Sequence, residues 1–111
     1  MLKLTQQEHT WLDDYRKAIE KKHPGVVHEM LIYGSKARGR PHAESDLDVL
    51  LIVNNDGGRL KRKLRRIGYL LAATSDVMPS ILAYTQEEWE NRRRSGSTFR
   101  LAVERDAVRV V

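Results

Sequence analysis

The sequence predicts a single domain of mixed helices and strands, α/β (α+β) in class, and three observations predict it. Runs with helical spacing alternate with strand-sized apolar runs. Residues 47–53 are apolar at nearly every position, as in a strand covered on both faces. The 111 residues suffice for one hydrophobic core but not for two ordinary domains.

Helix one is expected to start at Thr5, because Glu8 three residues later completes a capping box. Trp11, Leu12, Tyr15, Ala18 and Ile19 then recur at helical spacing, and Pro24-Gly25 closes the run. Trp11 and Tyr15 are expected to pack in the core, with base stacking as the alternative. Residues 26–33 are rich in β-branched and aromatic types and read as a strand. A tight Gly34-Ser35 turn follows, and Lys36-Ala37-Arg38 suits one helical turn with its free amides near Ser35, ended by Gly39. After the strand at 47–53, residues 54–58 form a loop by composition.

Leu60, Leu64, Ile67 and Leu71 mark the buried stripe of a second long helix, with Gly68 set for close packing on the sheet. A third strand is expected from Ser75-Asp76 to about Tyr84, and Pro79 within it argues for an edge or a bulge. Thr85 and Glu88 repeat the capping box ahead of a short helix at 86–94. A last helical segment around Phe99 to Val103 and a short strand at 108–111 complete the chain.

Composition narrows the chemistry. With 41% hydrophobic and 32% charged residues the chain is typical of a folded protein and unlike a disordered one. The absence of cysteine excludes disulfides, thiolate catalysis and cysteine-bound metal. The polar opening lacks a secretory signal and no later segment approaches a membrane span, so a cytoplasmic location and no membrane association are expected. The net charge of +5 is concentrated in residues 59–66, where six of eight are basic. His9, His23 and His28 have no metal-ligand spacing, and His42 reads as a solvent-exposed loop residue.

Asp46 and Asp48 lie two apart at the start of an apolar strand, which projects both carboxylates from one face. Leu47 and Val49 to Leu51 surround them with residues expected to be buried, so the pair is costly unless water, donors or a metal compensate. Magnesium or manganese suits such oxygens. Gly34-Ser35 offers a flexible backbone, a hydroxyl and exposed amides to phosphate, with Lys36 and Arg38 adding charge.

Gly34-Ser35-Lys36-Ala37-Arg38-Gly39 followed by Ser45-Asp46-Leu47-Asp48-Val49 resembles the signature of the DNA polymerase beta-like nucleotidyltransferases, and in particular their small stand-alone members, the minimal nucleotidyltransferases. The resemblance spans residues 5–111. It implies a mixed sheet flanked by helices, the Gly34-Ser35 turn holding the triphosphate of ATP or another nucleoside triphosphate, and Asp46 and Asp48 holding Mg2+ or Mn2+. It assigns a third carboxylate to the strand after the long helix, where Asp76 is the match. Catalysis and metal binding are thus expected at Asp46, Asp48 and Asp76, with nucleotide contacts from Gly34, Ser35, Lys36 and Arg38.

The implied reaction is transfer of a nucleoside monophosphate, AMP by resemblance, to a hydroxyl acceptor. Resembling proteins accompany helical proteins of the higher-eukaryote-and-prokaryote nucleotide-binding (HEPN) group, proposed RNA-cleaving toxins, and act as their antitoxins. The expected role is therefore an antitoxin that modifies a HEPN-type partner, with a non-catalytic binding module and a small-molecule transferase as alternatives. A homo- or hetero-oligomer is expected, with contacts from the basic helix at 59–71 and the C-terminal segment. Direct RNA binding ranks lower, since the basic run has no paired aromatic stacking motif nearby.

Overall fold

The computed structural model describes residues 2–39 and 46–110. His42, Ser45 and Val111, which figure in the sequence reading, lie outside them. The elements run α1 (Gln6–Lys22), β1 (Val27–Tyr33), α2 (Gly34–Ala37), β2 (Leu47–Val53), a 3-10 segment (Asn55–Leu60), α3 (Lys61–Ala72), β3 (Pro79–Thr85), α4 (Gln86–Arg94), α5 (Thr98–Asp106) and β4 (Val108–Arg109). The sheet order is β3-β2-β1-β4, with β2 and β3 parallel and the other pairs antiparallel. This is the α+β class expected, with a mixed sheet flanked by helices.

Both predicted capping boxes form. Thr5 accepts from the Glu8 N–H while Glu8 accepts from the Thr5 N–H, and Thr85 and Glu88 repeat the exchange at α4. The period-2 geometry of β2 divides the core. Leu47, Val49, Leu51 and Val53 face α1 and α3, where Trp11, Tyr15 and Leu64 are buried. Leu50 and Ile52 face α4 and α5, against Trp89 and Val103. Trp11 and Tyr15 are core residues: the indole donates to the Gly68 carbonyl at 3.0 Å and the phenol to the Leu64 carbonyl at 2.8 Å, which removes both rings from any stacking role. Burial drives the Tyr15 pKa upward.

Gly68 is where α3 meets the sheet most closely. A Cβ there would lie 2.5 Å from Ile81 Cδ1 and 2.9 Å from Tyr15 Cζ. The loop expected at 54–58 is mostly a 3-10 turn. The third strand starts later than the sequence suggests. Ser75 Oγ donates to the Ala72 carbonyl and accepts from the Val77 N–H, so this hydroxyl extends the helix end into a turn, and pairing with β2 begins only at Pro79. Pro79 indeed sits on an edge strand. There the Ile81 N–H donates to the Tyr69 hydroxyl and the Thr85 N–H to Glu88, leaving less of the edge open to pairing. The C-terminal strand lies on its own sheet against β1, and Val110 continues it by donating to the Met30 carbonyl.

Candidate active site

β1 ends at Tyr33, and the chain turns at Gly34 with φ +77°, a conformation glycine adopts without the Cβ penalty. A Cβ at Gly34 would stand 2.1 Å from Asp48 Oδ2. The turn backbone and the carboxylate are therefore in direct apposition. Tyr33 pairs with Asp48 across β1 and β2, and Ser80 is its neighbour on β3. Asp48 alternates with Leu50 and Ile52, so it points to the α4/α5 side, and the same period puts exposed Asp46 on that side. Ser35 and Lys36 follow Gly34 within the single turn of α2.

The electrostatics are those of a crowded acidic pair. Burial, then the charge of Asp46, raises the Asp48 pKa, while Arg38 opposes the rise. Tyr33 is pushed up to about 12 by burial and then by Asp48, so it stays a neutral phenol at physiological pH. Arg38 also reaches Asp106 at the end of α5, at 3.8 Å. Two carboxylates on one face, one of them half-buried, suit a hard divalent cation that completes its shell with water and phosphate oxygens.

Lys36 and Asp76 each make a contact outside the turn and the aspartate pair. Lys36 is buried, and its ammonium contacts both oxygens of Glu8, at 3.0 and 3.2 Å. Glu8 also accepts from the Thr5 N–H, so Lys36 ties α2 to the cap of α1 rather than reaching toward phosphate. Asp76 is exposed in the turn before β3 and accepts from Gln7 of α1 at 3.3 Å. Among the described residues no three His, Cys, Asp or Glu side chains are grouped as they would be around a metal. The position beside Asp48 on β3 is Ser80 instead.

Sequence reading missed the places of Tyr33, Ser80 and Asp106 and the pairing of Glu8 with Lys36. Tyr33 carried a usable signal, since the last strand residue before the glycine turn must flank whatever that turn faces. The other three depend on contacts between residues distant in sequence.

The model of the nucleotidyltransferase domain family matches residues 12–101, which include the turn and both aspartates. The chain belongs to this family. It is accordingly a nucleotidyltransferase in general chemistry. The crystal structure of a candidate nucleotidyltransferase from Sulfolobus solfataricus is similar at 16% identity and a TM-score of 0.49, over 98% of this chain and 89% of that one. Among curated proteins none matches the chain significantly. None of the nucleotidyltransferase's described helices is long and apolar enough to cross a membrane.

Proposed function

We propose that this nucleotidyltransferase transfers AMP from ATP to a hydroxyl on a partner protein, and that it acts as the antitoxin of a HEPN-type toxin. The observation that carries the transfer reading is the apposition of the Gly34 turn and Asp48, with Arg38 close enough to act on that carboxylate. The acceptor oxygen attacks the α-phosphorus, the bond to the bridging oxygen breaks, pyrophosphate leaves, and the acceptor proton passes to solvent or a carboxylate. Gly34, Ser35 and the amides of α2 bind phosphate oxygens. Arg38 exchanges Asp106 for the anionic substrate. Asp46 and Asp48 would hold Mg2+ or Mn2+, which supplies charge neutralisation on the reacting phosphate. Tyr33 and Ser80 flank Asp48 and orient it.

Incubation of the native complex with ATP and Mg2+, followed by intact-mass spectrometry, tests this reading. The expected result is a mass increment of one or more AMP units on the partner, absent in D46N and D48N. An unmodified partner after incubation with active-concentration ATP counts against it. One observation favours a second reading, neutralisation of the partner by binding alone: Asp48 has Ser80 rather than a carboxylate beside it on β3. Neutralisation that survives D46N/D48N with unchanged complex affinity would select that reading.

A further inference from the structure

The described arginines divide into two sets. Outside residues 59–66 each has a carboxylate or an aromatic ring within reach: Arg16 pairs with Asp13, Arg109 with Glu29, and Arg92 lies over Tyr84. Arg59, Arg62, Arg65 and Arg66 have no hydrogen bond or ion pair among the described residues. Helix α3 carries Lys61, Arg62, Lys63, Arg65 and Arg66 and no acidic residue. Basic pairs such as Arg62 and Arg66, four apart, repel on a helix surface, and cations in the first turn oppose the helix dipole. The fold tolerates a charge arrangement that local stability disfavours.

Arg62, Arg65, Arg66, Tyr69 and Leu70 line an open concavity of about 450 Å³. Tyr69 is 44% exposed, and its ring is held by the hydroxyl, which accepts from the Ile81 N–H at 2.9 Å. The basic run has no paired aromatic motif, but the single Tyr69, one turn after Arg65 and Arg66 on the same helix, lies beside their side chains. The concavity lies on α3, at the edge of the sheet where Tyr69 reaches β3.

We propose that this face of α3 binds single-stranded nucleic acid, with phosphodiesters on the three arginines and a base against Tyr69. Guanidinium groups match phosphate geometry, and a cationic groove beside a rigid aromatic face is the usual basis of single-strand binding. An acidic protein segment would satisfy the arginines but leave the fixed ring without a stacking partner. Arg62, Arg65, Arg66 and Tyr69 are not among the residues assigned to nucleotide transfer.

The test is fluorescence anisotropy with labelled oligouridylate and oligothymidylate of about 20 nucleotides, beyond the roughly 4–16 covered by one single-strand module. Wild type should bind with a log–log salt slope of roughly −2, from about 0.7 per phosphate over three contacts. R62E/R66E, at two exposed positions and checked for folding by circular dichroism, should lose at least about tenfold at low salt. R93E/R94E, an equal charge change on α4, should lose much less. Y69A should lose at least about fivefold and Y69F should retain binding, since the ring remains. The proposal is overturned by the absence of binding, by equal losses in the two double variants, by full affinity in Y69A, or by polyglutamate competing as well as the oligonucleotides.

Discussion

Asp48 carries a cost that an ordinary strand residue does not. Burial and the neighbouring Asp46 raise its folded-state pKa above the ordinary 3.8, so the folded protein takes up this proton more readily than the unfolded chain. Stability from this group therefore falls as pH rises through the window above 3.8, and the charged form is a penalty once pH exceeds the folded value. D48N should raise the melting temperature at pH 7 in metal-free buffer, and the gain should shrink as pH falls through the raised folded value toward 3.8, where it is lost. Thermal denaturation of both proteins across pH 3–8, as a rough range, checks this; a D48N protein less stable than wild type at pH 7 would contradict it. Gly34 is constrained by the same carboxylate. G34A places a Cβ against Asp48 Oδ2 in a left-handed conformation and should cost about 1–2 kcal/mol or more, with loss of nucleotide binding. Urea unfolding and nucleotide titration of the one variant measure both effects.

Helices α3 and α4 join the sheet by different means, and each makes a separate prediction. At Gly68 an added methyl gains about 1 kcal/mol of helix propensity but meets Ile81 and Tyr15 at under 3 Å. Overpacking of a filled core typically costs about 1–3 kcal/mol, and both neighbours are held in the core, so G68A should be net destabilising in urea denaturation. At α4, Glu88 accepts from the Thr85 N–H and pairs with Lys61, and the Lys61 hydrogen bond and the cap lower its pKa from 4.5. A depressed carboxylate pKa gives stability that is present above 4.5 and lost as pH falls through the folded value. E88Q should therefore melt below wild type at pH 7, with the difference closing below that window. A gap that is independent of pH would mean the carboxylate charge is not what holds the cap.

Across the whole molecule, the parts legible in the sequence were those set by local patterns. The capping boxes at Thr5 and Thr85 and the alternation that puts Asp46 and Asp48 on one side follow from neighbours within a few residues, and Gly68 was marked by its place beside the apolar stripe of α3. The strand boundary before Pro79 was not legible, because the Ser75 hydroxyl decides it by bonding back to α3. The register of β3 on β2 places Ser80 beside Asp48. The pairing of Lys36 was likewise not legible, since its partner Glu8 is 28 residues away and belongs to another element. What remains of the site is compact: one glycine turn, two carboxylates and Arg38. Calorimetric titration with an ATP analogue whose α,β-bridging oxygen is replaced by methylene, with and without Mg2+, tests that claim most directly. Wild type should bind in a Mg2+-dependent manner, and D46N and D48N should lose the Mg2+ dependence; binding of equal strength in all three proteins, or binding indifferent to Mg2+, would contradict the account.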